Sequence, residues 1–112
     1  MIYTAIGFFA LAAILGLILL SFILRNKETP KGVAILHGLL AATGLVLLII
    51  YCTDHTPRPI ESLVLFIIAA TGGFIVFARD ISNKPLPKWL PVAHGLIAVT
   101  GFVFLLVFAF SE

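Results

Sequence analysis

The sequence predicts an all-α integral membrane protein, a four-helix bundle made of two transmembrane hairpins that repeat each other in parallel. Two observations predict this fold class. The 112 residues are 62% hydrophobic and only 11% charged, which leaves too few polar side chains to cover a water-soluble domain. The chain also matches itself when it is shifted by 57 residues. This composition excludes a nucleic-acid-binding module and an aqueous catalytic domain, and a single cysteine excludes an internal disulfide.

Four uncharged apolar segments cover residues 2–24, 33–53, 62–78 and 89–110. At a helical rise of about 1.5 Å per residue, each segment can cross a hydrocarbon core of about 30 Å. Helices are expected because every backbone N–H and C=O group must be paired within lipid. We therefore expect residues 1–112 to form a single transmembrane domain.

The distribution of basic residues predicts the orientation in the membrane. The connections 25–32 and 79–88 contain six of the seven Lys and Arg residues, and the middle connection contains only Arg58. Since basic residues in short loops stay on the cytoplasmic side, these two connections are predicted to be cytoplasmic and both termini to lie outside. A bacterial inner membrane is the expected location.

The internal match divides the chain into a first hairpin repeat, residues 1–57, and a second, residues 58–112. Between Asn26 and Gly44, 10 of 19 positions are identical to their partners at the 57-residue shift. The identical residues are Asn26, Lys27, Pro30, Lys31, His37, Gly38, Leu39, Ala41, Thr43 and Gly44. Two hairpins with an even number of spans have the same orientation, so a pseudo-two-fold axis along the membrane normal is expected.

The repeated segment also defines the candidate site. His37 and His94 occupy equivalent places in the second and fourth helices, and small residues follow each of them along the same helix face or next to it. Small side chains allow another helix or a planar cofactor to approach the backbone. We predict His37 and His94 as metal ligands. The predicted cofactor-binding set is His37, Gly38, Ala41 and Gly44 with His94, Gly95, Ala98 and Gly101.

Two neutral imidazoles on a common axis suit a haem iron, which takes one nitrogen from each side. In this architecture and in its paired histidines, the sequence resembles a minimal four-helix membrane b-type cytochrome. The resemblance implies one haem b between His37 and His94 and an electron-transfer function. It departs from the two-haem pattern, which has two histidines on each ligand-bearing helix. Basic residues at the cytoplasmic rim would face the propionates: Arg25, Lys31, Arg79 and Lys88.

A structural interpretation of the same residues is also open. The histidines can hydrogen-bond to neighbouring helices while Gly and Ala provide close helix packing. The protein would then be a non-catalytic accessory or scaffold subunit of a larger membrane complex or of a homo-oligomer. The expected partners are the lipid bilayer and, for the cytochrome hypothesis, a quinone or a larger membrane redox complex. A transporter is disfavoured because no Asp, Glu, Lys or Arg lies within a span.

Overall fold

The computed structural model describes residues 1–111, which form four α-helices and no strand. The helices are α1 (Ile2–Leu24), α2 (Lys31–Asp54), α3 (Ile60–Ile81) and α4 (Trp89–Phe110). Each is long and apolar enough to span a membrane. The predicted all-α four-helix fold class is thus confirmed. Glu112, the last residue of the predicted second repeat, lies outside the described residues.

The helix ends differ from the predicted spans in the two central helices. α1 and α4 have the predicted bounds, but α2 begins at Lys31 and α3 continues through Arg79 and Asp80. Charged residues do not end a helix, because backbone hydrogen bonding continues beyond the apolar segment and long side chains can reach the membrane interface. The uncharged segment therefore underestimates the length of the helix.

The duplicated asparagine has a structural explanation. Asn26 ends α1 with a φ of 58°, and Asn83 ends α3 with a φ of 55°. In both places the N–H of the next residue donates to a carbonyl oxygen five positions back, at 2.9 Å after α1 and 3.0 Å after α3. This is a Schellman ending, whose left-handed position accepts asparagine more readily than most side chains. The Asn-Lys pair of the repeat thus ends the first helix of each hairpin.

The helices pack around a ring in chain order, with α1 against α2, α2 against α3, α3 against α4 and α4 against α1. The diagonal pairs meet on the central axis through equivalent residues. Phe9 of α1 and Phe66 of α3 stack with ring centroids 3.9 Å apart and an interplanar angle of 6°. His37 of α2 and His94 of α4 face each other with centroids 6.2 Å apart.

Burial follows the repeat closely. Phe9 and Phe66 are each 6% exposed, and Leu48 and Leu105 are completely buried. The buried apolar cluster lies in the half of the bundle that contains the termini and the middle connection, here called the terminal half. Its members are Ile2, Ala5, Phe9, Leu48, Cys52, Phe66, Leu105 and Ala109.

The other half, here called the basic half, is packed less tightly. It contains residues 13–24, 31–43, 70–81 and 89–100 and leads to the two basic connections. Apart from Pro91 in the first turn of α4, none of these residues is buried. The histidines lie in this half, next to the last fully buried layer of the core.

At the basic end, a polar contact joins the two hairpins and departs from the equivalence of the repeats. Lys31 of α2 forms an ion pair with Asp80 of α3 at 2.8 Å, and the Thr29 hydroxyl donates to the same carboxylate. The repeat equivalents of Asp80 and Thr29 are Ile23 and Leu86, which cannot form this network. The second hairpin therefore has no matching ion pair, and Lys88, the equivalent of Lys31, lies 3.5 Å from the carbonyl oxygen of Leu24 instead. Since Lys31 is partly exposed, the ion pair itself adds little stability.

Candidate functional site

The two histidines occupy the same position in their hairpins, near the beginning of α2 and of α4. Both side chains are half-buried, and the two rings are perpendicular, with an interplanar angle of 88°. Two imidazoles that bind one metal ion from opposite sides have ring centroids about 6 Å apart, because each metal–nitrogen bond is about 2 Å long. The centroid separation of 6.2 Å is compatible with that arrangement.

Each histidine is held by a hydrogen bond to the first helix of its own hairpin. Nδ1 of His37 lies 2.7 Å from the carbonyl oxygen of Ala12, and Nδ1 of His94 lies 2.7 Å from that of Ala69. A carbonyl oxygen can only accept, so Nδ1 carries the hydrogen and donates it. In a neutral imidazole this leaves the Nε2 lone pair free. Metal-ligating histidines commonly have a partner of this kind, which sets the tautomer and the ring orientation.

A glycine one helical turn after each carbonyl makes room for the ring. A Cβ atom on Gly16 would lie 3.0 Å from Cε1 of His37, and a Cβ atom on Gly73 would lie 2.7 Å from Cε1 of His94. Any larger residue would push the imidazole away from its carbonyl partner. The sequence contained the signal for these glycines, since they match at the 57-residue shift, but the repeat alone did not connect them with the histidines.

The remaining predicted site residues form three pairs of repeat-equivalent positions. Gly44 and Gly101 are buried against Phe9 and Phe66, whose rings would lie 3.1 Å and 3.5 Å from an added Cβ atom. A phenylalanine of the same hairpin therefore covers each of these glycines. Gly38 has no atom within 4 Å of an added Cβ, and the same holds for Gly95. Ala41 and Ala98 lie between these glycines along α2 and α4, and both are half-buried.

These neighbours limit where a planar group can fit. Towards the terminal half, the stacked pair of Phe9 and Phe66 fills the axis. Towards the basic half, the interior has no buried apolar side chain except Pro91. On the basic side, an added Cβ atom on Gly38 or Gly95 would meet only open space, and Gly38 lies at the exposed surface of α2.

The number of available protein ligands limits which types of metal centre are possible. Within residues 1–111, no group of three or more His, Cys, Asp or Glu side chains is arranged to hold a metal ion. A structural zinc site needs four protein ligands and a catalytic one three. A haem iron needs only two axial ligands, because the porphyrin supplies the other four nitrogens. Two histidines match the number of protein ligands that a haem iron takes.

The basic residues predicted to face the propionates all have acceptors within the protein. Lys31 pairs with Asp80, and Lys88 lies 3.5 Å from the carbonyl oxygen of Leu24. Arg25 donates to the carbonyl oxygen of Ser21 at 3.1 Å, and Arg79 donates to that of Pro85 at 2.7 Å. All four remain at the basic end, and a role towards propionates remains a prediction.

The close contact at Gly73 leads to a testable expectation. In Gly73→Ala, the new methyl group would overlap Cε1 of His94, so the ring has to move and its hydrogen bond to Ala69 is strained. We expect a loss of about 1–3 kcal/mol in the free energy of unfolding, measured by titration with denaturing detergent. Gly95→Ala is the matched control: its methyl group meets open space, and alanine favours a helix. Equal stability of the two variants would contradict the observed packing of His94.

Comparison of the chain with protein-family models, with curated proteins and with solved structures found no match. A function is therefore inferred from the geometry of the paired histidines.

Proposed function

We propose that the protein is a membrane b-type cytochrome that binds one haem between His37 and His94 and transfers electrons. The observation that carries the proposal is the symmetric anchoring of both imidazoles. Their ring centroids are 6.2 Å apart, and both Nδ1 atoms are engaged by backbone carbonyl oxygens. Both Nε2 atoms are consequently free to ligate iron.

The residues around the histidines would have distinct tasks. His37 and His94 would hold the haem iron, and the carbonyl groups of Ala12 and Ala69 would keep the hydrogen on Nδ1 so that Nε2 can bind the iron. When bound, the haem would supply one-electron redox chemistry. The protein would supply ligands, orientation and an apolar environment, which tune the reduction potential.

The same proposal includes the location and partners of the protein. We place the protein in a bacterial inner membrane, and the excess of Lys and Arg in the connections 25–32 and 79–88 supports an orientation with these connections in the cytoplasm and both termini outside. Its electron partner would be a membrane quinone or a larger redox complex. Lipid-facing apolar residues cover all four helices, so association with copies of itself is also compatible with the surface.

An absorption spectrum of the purified protein tests the proposal. The protein is produced in cells supplied with a haem precursor and purified in mild detergent. We expect a Soret band, and separate α and β bands after reduction with dithionite, as low-spin iron with two imidazole ligands gives. A colourless preparation that does not gain these bands when haem is added would contradict the proposal.

A second candidate is a non-catalytic accessory or scaffold subunit. The specific observation in its favour is that each histidine already has a structural partner in its own hairpin, the carbonyl of Ala12 or Ala69, and fits closely over Gly16 or Gly73. Polar side chains of this kind stabilise membrane helix pairs modestly. In this case a variant with both histidines replaced by alanine would still assemble, and the protein would co-purify with a fixed partner and no cofactor.

A further inference from the structure

A groove between α3 and α4 lies beside His94 on the outside of the second hairpin. Its volume is about 390 Å³, within the range of small-molecule sites. Two isoleucines of its α3 wall, Ile67 and Ile68, are 47% and 48% exposed. On a membrane-spanning helix such exposed apolar residues face lipid, so the groove is open to molecules dissolved in the bilayer.

The groove coincides with a local departure from the repeat. The second hairpin has Gly72 and Ala93 where the first has Leu15 and Leu36. An added Cβ atom on Gly72 would lie 3.8 Å from Cβ of His94, so this glycine opens the wall of the groove directly beside the histidine. Two leucines have thus been replaced by small residues on the lipid-facing side of one histidine only.

A third difference between the two hairpins places a polar group in the same groove. Trp89 lines its end at the first turn of α4, where the first hairpin has Gly32. The indole is 68% exposed and offers a flat ring and an N–H donor. Thr71 also lines the groove, and its hydroxyl donates to the carbonyl of Ile67 at 3.0 Å, which leaves its oxygen lone pairs available. An acyl chain would use neither of these groups.

We propose that this groove binds a quinone from the bilayer. A quinone is lipid-soluble and has a flat ring that can pack on an indole, and its carbonyl oxygen can accept a hydrogen bond from the N–H of Trp89. The choice of a redox-active ring rests on the proposed electron-transfer function, because the groove brings its occupant to His94. Binding itself needs only the residues of the groove.

The fluorescence of Trp89 tests this inference directly, because it is the only tryptophan and quinones quench indole fluorescence. The full chain is reconstituted in lipid nanodiscs of defined composition and titrated with a benzoquinone that has a short alkyl tail. We expect saturable quenching. In Ala93→Leu, which introduces the residue of the first hairpin, the quinone affinity should fall about tenfold or more because the side chain fills the groove.

Two further variants separate filling of the groove from general effects. Gly72→Leu, which introduces the residue that the first hairpin has at Leu15, should weaken binding in the same way. Ala42→Leu adds the same bulk at an exposed position of α2 and should leave the affinity unchanged. Circular dichroism of each variant checks that its helices are retained, and the titration is scored on the variants that keep them.

Quenching that rises without saturation, or that is equal in wild type and in both groove-filling variants, would overturn the inference. Quenching without saturation is also what an acyl-chain groove would give, because the phospholipids of the nanodisc would occupy it. The titration is run on haem-free and on haem-supplemented protein. If the protein binds quinone saturably but binds no haem, the cytochrome proposal is contradicted and the groove assignment stands. If the protein binds haem but shows no saturable quenching, only the groove assignment is contradicted.

Discussion

Replacement of His37 by alanine is expected to abolish stable haem binding. The variant would leave His94 as the only axial ligand and would remove the symmetric pair whose centroids are 6.2 Å apart. We expect haem occupancy to fall at least about tenfold, since loss of a supporting group alone typically weakens a metal site by that factor. The measurement is the Soret absorbance per mole of purified protein, and His94→Ala should have the same effect.

The matched control is His55→Ala. His55 lies in the middle connection, is exposed and stacks on Tyr51 with ring centroids 4.1 Å apart, far from the paired histidines in the chain. This variant should retain full haem occupancy. Full retention of haem by both His37→Ala and His94→Ala would show that the two side chains are not the ligands.

A rescue experiment separates ligation from helix packing, because His37 also hydrogen-bonds to Ala12. In His37→Gly, free imidazole added to the sample can occupy the vacated place and restore the low-spin spectrum. A purely structural histidine would give no spectral change with imidazole. Dependence of the α and β bands on imidazole concentration would therefore identify the residue as a ligand.

Replacement of Phe66 by alanine is expected to cause a large loss of stability. Its ring stacks on Phe9 at 3.9 Å, covers Gly101 and joins the two hairpins on the axis. Large-to-small changes at buried phenylalanines cost about 3–5 kcal/mol in soluble cores. In lipid the separated helices keep an apolar environment, so lost packing is the main contribution and we expect about 2 kcal/mol. Detergent-induced unfolding measures this difference.

Phe74→Ala provides the control on the same helix. Phe74 is 74% exposed on α3, so its removal should change the free energy of unfolding little. A double-mutant cycle with Phe9→Ala then isolates the aromatic pair, for which we expect a coupling of about 0.5–1.5 kcal/mol. If Phe66→Ala and Phe74→Ala are equally stable, or if the cycle gives no coupling, the two hairpins do not meet through this stack.

Several features of the protein could be predicted because they depend on the sequence of one helix or of one hairpin. Hydropathy and length predicted four helices, and α1 and α4 begin and end at the expected residues. The repeat predicted equivalent positions for His37 and His94, because two copies of one hairpin sequence form similar local contacts. Thr43 and Thr100 illustrate this, as both donate at 2.8 Å to the carbonyl four residues earlier.

The partners of the site residues could not be predicted in this way. Small residues lie on more than one face of these helices, and their rotation about the helix axis decides which of them meet a neighbour. Gly44 was predicted to leave room for a cofactor, but the bundle places the Phe9 ring against it. Conversely, the repeat alone did not connect Gly16 with His37, and the fold places this glycine under the imidazole ring.

By itself, the sequence determined four membrane-length helices, their pairing into duplicated hairpins and the equivalence of the two histidines. These properties depend on apolar length and on identity between the copies. Only the tertiary structure decided that the imidazoles are anchored to Ala12 and Ala69, that the buried core ends beside them and that a groove opens on one side of His94. These features depend on how the helices are rotated and how closely they approach, which is set by packing among all four helices together.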